Sequence, residues 1–205
     1  MKAVYAKTVH TPLSRSELPV DTAALARFLI GKMLVRAFAE SAAGGRIVET
    51  EAYEIGDPAG HAYRRMTPRN RSLFLERGHA YVYLAYGVSF MLNVSSEALG
   101  VGAGVLIRAI EPIFGVAIME RNRGSDRVLD LARGPGRLCA ALSVDRRLDG
   151  VDLCQAGPLW LGCDGQAPGE IGQGKRIGVT QAADRLLRFY VRGSRFVSGS
   201  RAFNG

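Results

Sequence analysis

Two segments decide the fold, IVETEAY at residues 47–53 and AYVYLAYG at residues 80–87. Residues of the first alternate in character, as in a β-strand whose two faces meet different surroundings. The alternation predicts one face made of carboxylates and an aromatic ring: Glu49, Glu51 and Tyr53. The opposite face would carry Val48, Thr50 and Ala52.

The second segment predicts a hairpin that protrudes from the sheet. Residues 80–85 are strongly β-prone, Tyr86 and Gly87 can form the turn, and residues 88–94 return as the second strand. The tip of a hairpin has little core to fill. An aromatic side chain at Tyr86 could therefore wedge between the base steps of a nucleic acid, although tyrosines are also common in ordinary turns.

The remaining elements place more strands than helices around these segments. Further strands are predicted at 33–38, 104–110, 158–161, 176–179 and 187–191, with a turn at Gly44–Gly45. Helices are predicted from Asp21 or Thr22 to Gly31, over 113–119 before a basic loop at 120–124, and from Pro135.

This order predicts an α+β fold, one domain over residues 1–205 built on a mostly antiparallel β-sheet with flanking helices. Residues 1–18 would form an irregular N-terminal arm and residues 199–205 a tail, because prolines interrupt the first segment and no pattern continues in the last.

Composition limits the possible functions. The chain has 205 residues and a net charge of +8, carried mostly by arginine, which suits an anionic partner but is equally compatible with simple solubility. Three cysteines without a C-x-x-C pair indicate neither a disulfide framework nor a zinc site. The start of the chain lacks a signal-peptide pattern, and no apolar run could span a membrane. We therefore expect a cytoplasmic protein without metal or other cofactor.

Several polar residues lie where a simple fold would not put them. Glu51 could be solvated on an exposed sheet face, or it could act as a general base beside the tyrosines. Arg108 and Asn93 lie in apolar strands, so they should need a carboxylate, an anionic ligand or hydrogen bonds.

A basic segment follows the loop that contains His61. Four arginines lie among residues 64–71 with Thr67 and Asn70, as in phosphate-binding loops, although a solvated basic loop would have the same composition. His61 has no second histidine or cysteine at metal-binding spacing, so it is not expected to be a metal ligand.

Taken together, these motifs resemble the 3-methyladenine DNA glycosylases of the alkyladenine type. The resemblance extends from about residue 19 to 198. Its motifs are IVETEAY (47–53), His61, TPRNR (67–71), YVYLAYG (81–87), NVSS (93–96), LIRAIEP (106–112), RGPGRLC (133–139) and RFYVRGS (188–194).

The resemblance implies a role for each matching residue. Glu51 would activate the hydrolytic water, and Arg108 would help to hold that water. Tyr53, Tyr83 and His61 would sandwich the flipped base, and Asn93 would reject the amine of guanine. Tyr86 would fill the gap left in the duplex, and the DNA backbone would be contacted by Arg65, Thr67 and Arg69.

The activity implied is that of a monofunctional enzyme of base excision repair. It would flip alkylated purines such as 3-methyladenine and 7-methylguanine out of double-stranded DNA, with hypoxanthine and ethenoadenine as further candidates. A monomer would suffice, because one duplex site can be wrapped by one chain. No residue is indicated as the general acid that a neutral lesion would need.

Two alternatives use the same residues. A non-catalytic nucleic-acid-binding module would need the basic loop and the hairpin but not Glu51. A hydrolase of a small anionic substrate would need Glu51 and Arg108 but would leave Tyr86 without a role.

Overall fold

Eight strands form one curled antiparallel sheet in a computed structural model that describes residues 11–199. The strands are β1 (Met33–Ala37), β2 (Ala42–Tyr53), β3 (Ala80–Ala85), β4 (Ser89–Ser95), β5 (Gly104–Phe114), β6 (Leu159–Gly162), β7 (Ile171–Gly174) and β8 (Arg188–Val191). Their main order is β3-β4-β5-β2-β1-β6, and β8 joins β2 to β7. The predicted α+β class and antiparallel sheet are confirmed.

Strand β2 is the centre of the sheet. It pairs with β5 along one edge, while its other edge pairs with β1 near the start and with β8 at Glu49–Glu51. The pairing with β5 shifts register around Glu49. Val48 consequently packs with Tyr190 and Val197 in a small separate cluster, whereas Ala52 belongs to the main core. The prediction that Val48 and Ala52 lie on the same face of the strand is therefore wrong.

The predicted turn at Gly44–Gly45 is also wrong, because both glycines lie inside β2. A Cβ atom on Gly45 would lie 2.1 Å from the carbonyl oxygen of Glu111 on β5. Glycine is needed here for the close approach of two backbones and not for a reversal of the chain. The connection between β1 and β2 falls instead at residues 38–41, where the Phe38 amide donates to the Ser41 carbonyl at 2.8 Å.

Helix α1 (Thr22–Leu29) confirms the sequence prediction. The Asp21 side chain caps it by accepting a hydrogen bond from the Ala24 amide at 2.7 Å, and Gly31 follows its end with φ +84°. Leu25 and Leu29 are fully buried against the sheet. Burial of such side chains stabilises the fold by about 1.5–3 kcal/mol each.

Two of the three remaining α-helices in residues 11–199 were predicted, with somewhat different bounds, and the short helix Val128–Leu131 was not. Helix α2 is Val116–Arg123, α3 is Val128–Leu131 and α4 is Pro135–Ala141 with proline in its first turn. The predicted helix at 113–119 is wrong at its start, since β5 continues to Phe114 before Gly115 turns with φ +65°. Residues 120–123 of the basic segment that was expected as a loop form the second half of α2, and Gly124 caps its end with φ +60°.

The strand predicted at 176–179 does not form. Polar groups of residues 176–179 bond instead to residues far away in the sequence. The Arg176 guanidinium pairs with Asp57, and the Ile177 amide donates to the Glu51 carboxylate. The strand in this region is β7, and it pairs with β8.

The described part of the predicted N-terminal arm is anchored to the sheet. Residues 11–18 contain only a short 3-10 turn, Arg15–Glu17, yet Leu13 and Leu18 are buried, and the Leu13 amide donates to the Leu161 carbonyl at 2.9 Å. Residues 1–10 of the arm and 200–205 of the tail lie outside the described residues. Within residues 11–199, no helix is long and apolar enough to cross a membrane.

Candidate active site

Two carboxylates of β2 form a buried ionic network with Arg108 of β5. Glu49 and Glu51 have no exposed surface, so the solvated face considered from the sequence is excluded. The Arg108 Nη1 lies 3.1 Å from Glu51 Oε1, and its Nε donates to Glu49 Oε1 at 3.1 Å. This pairing confirms that Arg108 has carboxylate partners, as its apolar strand required.

Further donors hold both carboxylates in place. Glu49 accepts from Arg188 Nε at 2.6 Å and from the Ser198 amide at 2.8 Å. Glu51 Oε1 accepts from the Ile177 amide at 2.7 Å. Both carboxylates are thus held by protein donors, and one of the donors to Glu51 is the hydroxyl of Tyr53, which bonds to its Oε2.

The pKa values of Glu49 and Arg108 favour their charged forms. Burial alone would raise the pKa of Glu49, but the charge of Arg108 and the hydrogen bond and charge of Arg188, with the Ser198 side chain, outweigh it and lower the pKa below its ordinary value. Burial likewise opposes the charge of Arg108, and the two glutamates more than offset it, so its pKa is raised.

Beside the network lies a pocket of about 170 Å³ whose walls are rich in aromatic rings. Asn93 lines it together with rings from three segments: Tyr53, His61, Tyr63, Tyr81, Tyr83 and Tyr86. Tyr53 links the pocket to the network, because its hydroxyl donates to Glu51 Oε2 at 3.0 Å. Burial and the adjacent Glu51 carboxylate raise the pKa of Tyr53 well above its ordinary value, so this hydroxyl keeps its proton. Among the described residues, Glu51 and Arg108 do not line the pocket themselves.

His61, Tyr81 and Tyr83 form one continuous wall. The His61 and Tyr83 ring centroids are 4.3 Å apart with an interplanar angle of 67°, and Tyr81 stacks on Tyr83 at 5.4 Å. A planar base between two rings needs roughly 7 Å, twice the van der Waals separation of carbon atoms. The gap between His61 and Tyr83 is therefore too narrow to hold a base. The two rings can contact only one face of a base, which leaves Tyr53 available to contact the other face.

His61 is held in its neutral form. Burial, assisted by the positive charge of Arg69, lowers the pKa of His61. Burial raises the pKa of Tyr81 to about 12, so its hydroxyl stays protonated and can donate to His61 Nδ1 at 2.9 Å. Because a phenol hydroxyl can donate or accept, this contact is compatible with either neutral tautomer of His61.

Asn93 is buried at the floor of the pocket. It lies opposite Tyr81 in the β3–β4 ladder, and its Nδ2 donates to the Tyr81 carbonyl at 3.2 Å. The bond to β3 fixes the side chain, so Asn93 presents a rigid polar group to whatever enters the pocket.

The hairpin tip protrudes as predicted. Tyr86 is 96% exposed and Val88 is 82% exposed. The turn is closed by the Val88 amide, which donates to the Ala85 carbonyl at 2.9 Å, with φ +51° at Tyr86 and φ +70° at Gly87. A tyrosine with positive φ costs of order 1 kcal/mol or more, so this conformation is maintained against strain.

Asn70 organises the basic loop, a role that the sequence did not reveal. Its Nδ2 donates to the carbonyls of His61 at 2.8 Å and Arg65 at 3.1 Å. Its Oδ1 accepts from the Thr67 amide at 2.6 Å and the Thr67 hydroxyl at 3.0 Å. The Thr67 hydroxyl proton is thus already used, whereas the Arg65 and Arg69 side chains are exposed beside the pocket mouth.

Other site residues came from outside the predicted set. Asp57 and Arg176 form a fully buried ion pair, and the Arg176 guanidinium lies 4.7 Å from the centre of the Tyr53 ring. Arg188 is almost fully buried and bonds to Glu49. Arg188 lies between Leu187 and Phe189, so its apolar neighbours could have indicated it as they indicated Arg108, whereas Arg176 follows Lys175 and carries no such signal.

The donor types present do not form a metal site. In the part of the chain that the structure describes, no group of three or more His, Cys, Asp or Glu side chains is arranged to hold a metal ion. The reacting groups available at the pocket are therefore carboxylate, guanidinium, phenol and imidazole.

The pocket and the network together define a class of protein. Aromatic walls accept a planar ring compound by stacking, and an ionised carboxylate in contact with such a wall can activate water or stabilise a cation. An enzyme that acts on a nucleobase has this construction.

Comparison with known proteins identifies the family. A family model for methylpurine-DNA glycosylase matches residues 16–195. A relative from Mesorhizobium japonicum is 72% identical over 193 residues, which cover 94% of this chain and 93% of the relative. One from Paraburkholderia phytofirmans is 50% identical over 93% of this chain and 89% of its own length, and one from Methanoculleus marisnigri is 46% identical over 87% and 94%. All three are provisionally named 3-methyladenine DNA glycosylases.

The chain belongs to the methylpurine-DNA glycosylase family. It is accordingly a DNA repair enzyme, a hydrolase of N-glycosyl bonds in DNA, and the resemblance stated from the sequence is confirmed.

Proposed function

We propose that the protein flips an alkylated purine out of double-stranded DNA and hydrolyses its N-glycosyl bond with a water activated by Glu51. The carrying observation is the bond from the Tyr53 hydroxyl to Glu51, which joins the wall of the aromatic pocket to a buried carboxylate. A base stacked on Tyr53 would bring its sugar close to the Glu51 carboxylate, which bonds to that ring's hydroxyl.

The reaction requires that the base leave the duplex. Inside the stack its glycosyl bond is inaccessible, so the nucleotide must rotate into the pocket at a cost of a few kcal/mol. Stacking on Tyr53 and on the His61–Tyr83 wall offsets about 1–3 kcal/mol per base. Tyr86, exposed at the hairpin tip, would occupy the space that the flipped nucleotide leaves.

The chemical step breaks the bond between C1′ of the deoxyribose and the purine nitrogen. Water supplies the hydroxyl that forms the new bond to C1′, Glu51 takes up the proton, and the bonding electrons leave with the base. Positive charge develops on the sugar in the transition state, and the Glu51 carboxylate stabilises it. Arg108, 3.1 Å from Glu51, would orient the water.

Alkylated purines suit this arrangement because no general acid is required. 3-Methyladenine and 7-methylguanine carry positive charge in DNA and leave without protonation, and the faces of the tyrosine rings favour a cation. Asn93, fixed at the pocket floor, would reject the exocyclic amine of normal guanine. Hypoxanthine and ethenoadenine remain further candidates, and one chain is proposed to act on one site.

Phosphate contacts would hold the duplex across the pocket mouth. Arg65 and Arg69 are exposed there, and Arg69 Nη2 donates to the Leu84 carbonyl of β3 at 3.3 Å, which ties the basic loop to the hairpin. Thr67 would contribute through the loop shape that it shares with Asn70 and would have to release its hydroxyl proton from Asn70 to donate to a phosphate.

The test is single-turnover base release from duplexes that each contain one lesion, comparing the wild type with Glu51→Gln. We expect release of 3-methyladenine analogues by the wild type and a loss of at least about 100-fold in the variant, with DNA affinity retained. Glu54→Gln is the matched control, because Glu54 also lines the pocket but is partly exposed and pairs with Arg185.

Two outcomes would contradict the proposal. If the wild-type protein binds every lesion duplex but releases no base, the result would favour the non-catalytic nucleic-acid-binding module that was considered from the sequence. If Glu51→Gln releases the nucleobase at the wild-type rate, a residue other than Glu51 must activate the water.

A further inference from the structure

The buried pair of Asp57 and Arg176 lies behind the pocket, outside the residues to which the reaction assigns a role. Both side chains are completely buried. The guanidinium makes a fork of bonds to the Asp57 carboxylate, with Nη2 donating to Oδ1 at 3.2 Å. Buried ion pairs are often no more stabilising than apolar residues of the same size, so stability alone is a weak reason for this one.

Arg176 reaches the base-binding wall directly. Its guanidinium carbon lies 4.7 Å from the centre of the Tyr53 ring, and its Nη1 donates to the Ala52 carbonyl at 3.0 Å, next to Tyr53 in β2. The buried Nε has no hydrogen-bond partner among the described residues. The guanidinium is thus oriented for contact with the ring at the expense of one hydrogen bond.

The segment after Arg176 reaches the reacting carboxylate. Ile177 donates its amide to Glu51 Oε1 at 2.7 Å, and Gly178 and Val179 line the pocket. This segment has no strand pairing of its own, so its position depends on such side-chain anchors.

Asp57 anchors the other side of the pocket. Its Oδ1 accepts from the Ala59 amide at 3.0 Å, and its carbonyl accepts from the Gly60 amide at 2.8 Å. These residues lead directly into His61 and line the pocket with it. One ion pair therefore connects the loop of His61, the ring of Tyr53 and the amide that orients Glu51.

We propose that the Asp57–Arg176 pair is a positioning element that couples the base-binding wall to the water-activating carboxylate. It keeps the Tyr53 ring and the Ile177 amide in the geometry that places the flipped base and Glu51 together. The inference rests on the proposed function, since it assumes that Tyr53 binds the base and that Glu51 activates water.

The experiment compares Arg176→Lys and Asp57→Asn with the wild type, with base release measured on a duplex that contains a 3-methyladenine analogue and base stacking measured on an ethenoadenine duplex. Lysine keeps the charge but lacks the planar fork, and asparagine keeps the size of aspartate. Arg185→Gln is the matched control, because Arg185 also approaches Asp57, at 4.0 Å, but its side chain is 40% exposed and it pairs mainly with Glu54. Thermal melting sets an assay temperature at which every variant is folded.

We expect the single-turnover rate constant to fall by about 10- to 100-fold in both variants, as a displacement of about 1 Å at a reacting centre can cause. DNA affinity should stay within about threefold, because no exposed phosphate contact changes. Fluorescence of the bound ethenoadenine before cleavage should differ from the wild type, because the Tyr53 ring that stacks on it has lost its support. Arg185→Gln should match the wild type in all three measurements.

A double variant tests the ring contact. In a Tyr53→Leu background, Arg176→Lys should have a smaller effect than in the wild type, because the ring that it supports is gone. Independent, multiplicative losses would overturn the coupling through Tyr53.

Failure of this inference can be told from failure of the proposed function. Wild-type rates in folded Arg176→Lys and Asp57→Asn, with only a lower melting temperature, would make the pair purely structural and overturn the inference alone. A wild type that releases no base from any lesion duplex would instead refute the proposed function.

Discussion

Substitution of Glu49 by glutamine tests whether the network on β2 is a fixed ionic core. The Glu49 carboxylate accepts from Arg108 Nε at 3.1 Å, Arg188 Nε at 2.6 Å and the Ser198 amide at 2.8 Å. Glutamine offers one acceptor oxygen, and its NH₂ group must face one of these donors. The variant therefore leaves buried positive charge with less compensation.

The expected cost follows from the burial of the partners. Removing one member of a buried ion pair costs about 3–5 kcal/mol. Arg108 keeps Glu51 at 3.1 Å, so the lower end, about 3 kcal/mol, applies. For a chain of 205 residues, this corresponds to a fall in melting temperature of about 6–12 °C.

Urea and thermal unfolding at pH 7 measure this cost. Glu54→Gln is the control, because its pair with Arg185 is partly exposed and should be worth no more than about 1 kcal/mol. A loss of less than about 1 kcal/mol in Glu49→Gln would refute the reasoning, since it would mean that the network relaxes or admits water.

The pH dependence gives a second measurement on the same pair of proteins. The pKa of Glu49 is lower in the folded protein than its ordinary value of about 4.3. Its stabilising contribution is therefore complete above pH about 4.3 and is lost as the pH falls through the folded pKa. Wild-type stability should decline more steeply than that of Glu49→Gln in this acid range, and parallel curves would contradict the assigned ionisation.

Three further results are expected. Tyr86→Ala should weaken binding to a lesion duplex by about 1 kcal/mol or more, roughly fivefold, without loss of stability. Val88→Ala, on the same exposed turn, should leave the binding unchanged. Equal effects of the two substitutions in a fluorescence anisotropy titration would show that Tyr86 does not act as a wedge. His61 should titrate below pH about 6.5 by NMR, and Arg69→Gln should move its midpoint upward. A midpoint of wild-type His61 above pH about 6.5 would contradict a ring that is neutral at pH 7. Gly45→Ala should destabilise the protein by about 1–3 kcal/mol in urea unfolding, because its Cβ would lie 2.1 Å from a carbonyl oxygen of β5, and a neutral effect would show that the strands can separate.

Local pattern was sufficient for the elements whose structure is set by nearby residues. The caps of α1, the proline at the start of α4 and the β3–β4 hairpin all formed where short-range chemistry predicted them. The shared face of Glu49, Glu51 and Tyr53 is also supported, since Arg108 contacts both carboxylates and Tyr53 bonds to Glu51.

Predictions failed where a distant segment competes for the backbone. A glycine pair indicates a turn by composition, but Gly44 and Gly45 permit β2 to lie against β5, which is far away in sequence. Residues 176–179 have the composition of a strand, yet Asp57 and Glu51 take up their polar groups. Neither competitor can be recognised from the local sequence.

The sequence by itself determined the family, the antiparallel α+β class and the residue types of the site, because motif spacing and alternation depend on neighbouring residues. Only the tertiary structure decided that Glu51 contacts the pocket through Tyr53, that Asn70 shapes the basic loop, and that Asp57 and Arg176 meet behind the pocket. Each of these three arrangements depends on contacts between residues that only the folded chain brings together. The free energy of burying a charge is likewise defined only when its partners and its distance from water are fixed.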